Sequence, residues 1–381
     1  MTRRPAETKP AAAPLQVGQC ITVTIQGMGS HGEGICQWKG NEIFVPKSAP
    51  GDQVEVRILE KKKGRFRASI ERLIEGGSSR ITPRCRHFEE CGGCDFQHIS
   101  YQDQWAWKMR MTKHWIRRSP LAPWLERLEF DEIPAVQDYH YRHRVRMQVK
   151  AGKLHFFKPH SHQLLELSEC PILVKGFFES LQQEAAGLQE RKDWASSALT
   201  GYEVGAHSIR FKPHLFSQGN QEMNQKMIAR VLADRSLTDG STALDLYCGF
   251  GNFSIPMRDL VERVVGVEIE GEAIECARMN SQQVEWRAQA VEAAVQDLVN
   301  QREFFSWVVL DPPRAGAWET LPSLAQLKPH VMTYVSCSLE TLIRDLTYLT
   351  KKAGYRIERW SVVDLFPQTH HIESIVTLVS Q

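Results

Sequence analysis

Residues 243–253 read Ala-Leu-Asp-Leu-Tyr-Cys-Gly-Phe-Gly-Asn-Phe: an apolar run breaks into a turn with two glycines and leads into a helical pattern. Gly249 and Gly251 remove the Cβ where the backbone passes close to a ligand. Further short apolar runs stand at 264–268, 307–310 and 331–335, separated by stretches of helical texture. Runs of this kind read as parallel strands buried on both faces. Alternating with helices, they predict a doubly wound α/β sheet from about His214 onward. Ligands of such sheets gather at the carboxyl ends of the strands. Glu268 ends the second strand, 23 positions after Asp245, where a carboxylate can accept hydrogen bonds from a ribose diol. Ser254 stands where a dinucleotide-binding turn has its third glycine, so no pyrophosphate site is implied.

The front of the chain has a different texture. Between Leu15 and Ile74, short alternating runs at 21–25, 42–45 and 53–58 are split by glycine and proline, the pattern of a small barrel of the OB type. Its last hairpin carries Lys61, Lys62, Lys63, Arg65, Phe66 and Arg67, which fits phosphate contact together with base stacking; a solvated hairpin tip has the same composition. Residues 75–79 read as a linker. A helix is expected over 102–118, and prolines at 120, 123 and 134 interrupt the chain beyond it. Strands return between Tyr141 and Val174. The expected organisation is a disordered tail (1–14), the barrel (15–74), a β-rich central domain (75–213) and the α/β domain (214–381).

Charge follows this division. Residues 1–150 hold 25 Lys and Arg against 17 Asp and Glu, and the remainder holds 22 against 28, so a net charge of only +2 hides a basic front half suited to a polyanion. No apolar run is long enough to span a membrane, and the N-terminus lacks the apolar core of a signal peptide. A cytoplasmic location is expected. No self-complementary patch or obligate protein partner is indicated.

Nine cysteines in such a chain point to metal or catalytic roles rather than a disulfide framework. Cys85, Cys91 and Cys94 are spaced five and two residues apart around Gly92-Gly93, and Cys170 stands far downstream beside Pro171. Four thiols in this arrangement suit an iron–sulfur cluster or a structural zinc.

Two further motifs follow buried strands. Residues 311–314 (Asp-Pro-Pro-Arg) form a rigid loop at the ligand edge of the sheet, and Cys337 ends the next strand, facing the same crevice. Amino-group methyltransferases of nucleic acids end a similar tetrapeptide in a stacking aromatic; Arg314 stands there instead. Glu373 opens a last apolar strand. A thiol, a carboxylate and a sulfonium donor together meet the needs of methylation at carbon 5 of uracil. That carbon is a poor nucleophile until a thiolate adds at carbon 6, and a base must then remove the carbon 5 proton.

In order, the Gly-rich turn, Asp311-Pro-Pro-Arg314, Ser336-Cys337 and the block 366–373 (Phe-Pro-Gln-Thr-His-His-Ile-Glu) resemble the motifs of the RNA 5-methyluridine methyltransferase family. Residues 216–220 (Phe-Ser-Gln-Gly-Asn) resemble its entry to the cofactor domain. The likeness covers nearly the whole chain from Leu15. It implies a Rossmann-like class I methyltransferase domain behind an OB-type TRAM barrel and a central iron–sulfur domain in which 95–125 packs on the catalytic domain. It makes Cys337 the nucleophile and Glu373 the base. Gln218, Tyr247, Glu268 and Asp311 would line the S-adenosylmethionine site with Asp245, Gly249 and Gly251, Asp311 also lying near the target base. Arg314 and the basic hairpin would contact RNA. The resemblance further implies a [4Fe–4S] cluster on Cys85, Cys91, Cys94 and Cys170, and structured RNA, large-subunit (23S) ribosomal RNA before transfer RNA, as substrate. Ser338 stands where the family usually has Asn, and residues 284–290 lack the acidic residue often found on the adenine side. A non-catalytic RNA-binding protein with a methyltransferase shell would tolerate loss of Cys337, and a nicotinamide oxidoreductase would bind that cofactor instead.

Overall fold

The computed structural model describes residues 15–233 and 240–381. The expected disordered tail, 1–14, lies outside the described residues. Two compact units are present, one of 15–84 with Cys94–Asp103 and one of Cys85–Gly93 with Gln104–Gln381.

The first unit is built on a six-stranded sheet. Its spatial order is Cys20–Thr24, Gln53–Lys62, Arg65–Glu75, Asn41–Val45, Gly34–Trp38 and Gly27–Met28. Alternation puts Val54, Val56 and Ile58 into the core with Ile43, Val45 and Ala68. Lys63 and Gly64, both at positive φ (47° and 79°), make the two-residue turn of the long hairpin, because that turn's twist matches the strands it joins. The same alternation corrects one expectation. Phe66 lies between Arg65 and Arg67 on the opposite face of its strand and is only 2% exposed, a core residue unable to stack on a base.

The barrel unit also does not stop at Ile74. Asp52 is buried and accepts hydrogen bonds from Ala49 N–H (2.6 Å), Gly77 N–H (2.9 Å) and the Arg80 guanidinium (2.6 Å). Burial would push its carboxyl up, but Arg80 and the two amides together hold it below the usual value. A Cβ on Gly77 would lie 2.2 Å from the Pro50 carbonyl oxygen. The segment that reads as a linker is therefore tied into the barrel by a buried carboxylate.

The second unit centres on an eight-stranded sheet in the order Glu285–Ala288, Arg263–Glu268, Thr242–Leu246, Trp307–Leu310, Val331–Ser336, Glu373–Ser380, Tyr355–Val363 and Glu129–Ile133. The first five strands are parallel, and Glu373–Ser380 runs antiparallel to both its neighbours. Strand residues alternate between two cores. Val308 and Leu310 join the helices Val291–Asn300 and Leu339–Lys351 on one face; Trp307 and Val309 join Gln221–Leu232 on the other. The order reverses between Thr242–Leu246 and Trp307–Leu310, which opens a crevice beyond Leu246 and Leu310.

Met109 and Ile116 of the helix Tyr101–Arg117 belong to the first of these cores. Glu129–Ile133, from the proline-interrupted stretch, pairs in parallel with Tyr355–Val363 at the sheet edge. A separate four-stranded sheet (Leu164–Glu166, Lys153–Phe157, Arg144–Lys150, Glu190–Ser197) packs on the helix Phe177–Ala185. Among the described residues no helix is long and apolar enough to cross a membrane.

Candidate active site

At the mouth of the crevice the chain after Leu246 turns through Tyr247 (φ 64°), Gly249 (φ 56°) and Gly251 (φ 99°). A Cβ on Gly251 would meet Ile255 at 2.7 Å and Trp286 at 2.9 Å, so this glycine is required by space as well as by φ. Glu268 accepts hydrogen bonds from Gly249 N–H (3.1 Å) and Glu270 N–H (2.9 Å), which fixes its carboxylate beside the turn. Tyr247 places its hydroxyl 3.3 Å from that of Thr320. Asp245 is fully buried; one carboxylate oxygen accepts from Ser254 Oγ at 2.5 Å and the other has no partner. Burial pushes this carboxyl up to about 7, the charges of Asp311 and Glu268 adding to the shift while Ser254 opposes it. Three carboxyl groups around one opening, one with an unmatched buried oxygen, fit a ligand that brings positive charge and hydroxyl donors.

Sequence reasoning missed the groups that steady this turn. The hairpin Gly201–Val204/His207–Arg210 lies against it. Phe211 stacks on Phe250 with centroids 4.7 Å apart, and the Tyr202 hydroxyl donates to Asn252 Oδ1. Asn252 and Asn224 exchange hydrogen bonds at 2.9 and 3.2 Å. Asn224 sits on the helix Gln221–Leu232, whose N-cap is Asn220. Only the run of aromatic and Asn residues around 250–252 hints at this in the sequence.

Cys337 follows the strand Val331–Ser336 and precedes the helix Leu339–Lys351. Ser338 caps that helix, its hydroxyl accepting from Thr341 N–H at 3.5 Å. Ser and Asn are comparable N-caps, so Ser338 preserves the local geometry. The thiol lies within electrostatic reach of Glu373, Asp311 and Arg314. It is pushed up to about 11, first by burial, then by the two carboxylates, with Arg314 opposing. Burial holds Glu373 well above its usual range, Asp311 adding to the effect and Arg314 opposing, and burial pushes Asp311 up to about 7. Gln218 Nε2 donates to Asp311 Oδ2 at 3.5 Å. Arg314 also reaches the His371 ring at 3.3 Å. Burial, with the charge of Asp311 on Glu373, thus opposes ionisation of these carboxyl groups.

The loop before Glu373 is anchored by residues that no motif announces. Lys108 Nζ donates to Asp364 Oδ1 at 2.6 Å and to the Phe366 carbonyl at 3.1 Å, and neither charged side chain is exposed. Gln104 exchanges two 3.0 Å hydrogen bonds with Gln368, and the Tyr141 hydroxyl donates to the Pro367 carbonyl at 2.8 Å.

The remaining candidates lie elsewhere. Lys61, Lys62, Lys63 and Arg65 are exposed on the barrel's long hairpin, with Arg67 half-buried. Two half-buried aromatics of the same unit lie under cations: Trp38 under Lys39 Nζ at 4.4 Å, and Phe44 under Arg65 at 5.5 Å. Cys85 and Cys91 stand in a loop stitched to the Cys170 loop: Arg86 N–H donates to Glu169 (3.0 Å), and Ser168 N–H to His87 Nε2 (3.0 Å). Gly93 N–H donates to Cys91 Sγ at 3.4 Å, and a Cβ on Gly92 would lie 2.9 Å from the Phe157 carbonyl oxygen. Burial, with the charges of Cys85 and Cys91 adding to it, pushes the Cys170 thiol up to about 12. Cys94 belongs to the barrel unit. Among the described residues no group of three or more His, Cys, Asp or Glu side chains is arranged to hold a metal ion.

A doubly wound sheet closed by one antiparallel strand, with carboxylates set around a glycine turn at the switch point, is that of a class I S-adenosylmethionine-dependent methyltransferase. Residues 201–381 match the family described as tRNA (Uracil-5-)-methyltransferase, and 21–78 match the TRAM domain of tRNA (uracil(54)-C(5))-methyltransferase. The chain is 30% identical to the 23S rRNA (uracil(1939)-C(5))-methyltransferase RlmD of Erwinia tasmaniensis, the match covering 94% of this chain and 96% of the relative. It is 29% identical to the protein of the same name in Marinomonas sp. (strain MWYL1), covering 96% of each. The crystal structure of Pyrococcus abyssi tRNA (uracil-54, C5)-methyltransferase in complex with S-adenosyl-L-homocysteine superposes with a TM-score of 0.72 at 22% identity, covering 94% of this chain and 99% of that one; the two share a fold. The chain belongs to the RNA uracil-5-methyltransferase family. Its reaction is S-adenosylmethionine-dependent methylation of uracil carbon 5 in RNA.

Proposed function

We propose that this enzyme methylates a uridine of 23S ribosomal RNA through a covalent adduct on Cys337. The observation that carries the chemistry is the convergence of Cys337, Glu373, Asp311 and Arg314 at the ends of neighbouring strands. The ribosomal substrate is supported by the full-length relatives named for it.

The target base leaves its stack to enter the crevice. S-adenosylmethionine, when bound, supplies an electrophilic methyl group; Asp245, Tyr247, Glu268, Gly249, Gly251 and Gln218 would hold it. Cys337 Sγ, its proton given up to solvent, forms a bond to carbon 6 of uracil, and the electron pair of the 5,6 double bond moves onto the carbon 5 side. Arg314 offsets the negative charge that builds near the thiol and the carbonyl oxygens. Carbon 5 takes the methyl group, whose bond to the sulfonium sulfur breaks with the electron pair left on sulfur as a neutral thioether, and still carries its hydrogen. Glu373 removes that proton, the double bond reforms and the sulfur leaves as thiolate. Asp311, held by Gln218, lies between the cofactor and base sites.

Lys61, Lys62, Lys63, Arg65 and Arg67 of the barrel contact RNA phosphates. Cys85, Cys91, Cys94 and Cys170 carry a [4Fe–4S] cluster. Its support is the spacing of the first three thiols and the stitching of the Cys85–Cys91 loop to the Cys170 loop. Anaerobic protein that is brown and contains iron agrees with this; colourless protein with stoichiometric zinc overturns it.

The substrate is tested by incubating the enzyme with methyl-labelled S-adenosylmethionine and unmodified 23S ribosomal RNA or transfer RNA, followed by nucleoside mapping. Label as 5-methyluridine in one ribosomal fragment is expected. Label in transfer RNA alone overturns the substrate and keeps the chemistry.

A further inference from the structure

The helix Tyr101–Arg117 lies far from every catalytic motif in sequence, yet residues 104 and 108 make its most specific contacts with the loop that ends at Glu373. We infer that Lys108 and Gln104 are positioning residues for the proton-abstraction step, an inference that rests on the assignment of Cys337 as nucleophile and Glu373 as base.

Packing alone does not call for Lys108. A buried ion pair can usually be replaced by apolar residues of similar volume without loss of stability. What an ammonium does that a methyl cannot is fix several acceptors at once. Lys108 Nζ fixes Asp364, the first residue after the strand Tyr355–Val363, and the carbonyl of Phe366. The Tyr141 hydroxyl takes the next carbonyl, that of Pro367. Gln104 takes both the backbone N–H and the side chain of Gln368, which is held at φ 67°, a conformation unfavourable for a residue with a Cβ. Phe366, Pro367 and Gln368 are thus tethered in succession from residues 104–141. The loop then closes on itself through Thr369 Oγ1 to the Phe366 carbonyl (2.8 Å), places His371 on Arg314, and delivers Glu373 opposite Val363. A general base acts only within hydrogen-bond reach of its proton. The tethers therefore bear on the step that Glu373 performs, and through His371 on the placement of Arg314.

The step has a signature that a merely structural defect lacks. If Glu373 is displaced after methyl transfer, the methylated RNA stays bonded to Cys337. Two variants separate this from misfolding: Gln104→Leu, which removes no charge, and the double variant Lys108→Met/Asp364→Leu, which leaves no buried ion unpaired. With 23S ribosomal and transfer RNA both supplied as substrate, kcat is expected to fall about 10- to 100-fold. KM for S-adenosylmethionine stays within about two-fold, and methyl-labelled protein–RNA adduct, resistant to denaturant, accumulates in both variants. A fall in kcat without adduct, or unchanged kcat, overturns the inference. Glu373→Gln is the control. If it traps no adduct, the underlying assignment of the base fails; if it traps adduct while Gln104→Leu does not, the inference alone fails.

Discussion

Asp245 is a carboxyl group that the ligand-free fold bears at a cost. Its pKa is raised from 3.8 to about 7, so folding favours the protonated form. Its contribution to stability is whole below about pH 4 and is lost as pH rises through about 7. At pH 8 the fold carries a buried carboxylate whose Oδ1 has no hydrogen-bond partner. Asp245→Asn is therefore expected to stabilise the protein at pH 8 by on the order of 1 kcal/mol or more, seen as a raised thermal midpoint, with a smaller gain at pH 5. Binding of S-adenosylmethionine, followed by calorimetry, should weaken about tenfold or more. A variant less stable than the parent at pH 8 would show that the carboxylate has a partner in the ligand-free protein. The motifs that hold Asp245, Cys337 and Glu373 were legible as motifs because each is linear and stands at a strand end. Lys108, Gln104 and Asn224 were not, because their partners lie more than twenty residues away and nothing local to them is unusual. Phe66 was misread although a signal was present: period-two alternation sets it on the face opposite Arg65 and Arg67.

At the scale of elements, the glycine turn makes a discriminating pair. A Cβ at Gly249 meets open space, and its φ of 56° is one that other residues adopt at moderate cost. Gly251, at φ 99°, would in addition drive a Cβ into Ile255 and Trp286. Gly249→Ala should cost about 1 kcal/mol and Gly251→Ala clearly more. Urea unfolding measures both, and equal costs would mean that the turn is looser than described. The central strands were legible because each is apolar throughout, the mark of burial on two faces. Glu129–Ile133 was not. Its sequence, Glu-Phe-Asp-Glu-Ile, is mostly charged and lies between prolines, and it becomes a strand only through its register with Tyr355–Val363, where Phe130 packs on Trp360. The barrel's true extent was hidden for a related reason: Asp52 reads as an ordinary turn residue until Gly77 and Arg80 are seen to close on it.

For the whole molecule, the basic front half and acidic back half gain a structural counterpart in the exposed lysines of the barrel hairpin. Replacing Lys61, Lys62 and Lys63 with alanine should weaken RNA binding in low salt and reduce the slope of log affinity against log salt by about 2 to 3, while leaving S-adenosylmethionine binding intact. An unchanged slope would move the RNA path off this hairpin. The account as a whole turns on carbon 5 chemistry through Cys337, and its most direct test uses RNA containing 5-fluorouridine. Fluorine cannot leave carbon 5 as a cation, so a base has no proton to remove there and the adduct cannot resolve. With S-adenosylmethionine present, a denaturant-stable protein–RNA adduct carrying one transferred methyl is predicted, with the nucleotide on the peptide that contains Cys337 and none formed by Cys337→Ala. Adduct on another residue, or adduct undiminished in Cys337→Ala, would contradict the account.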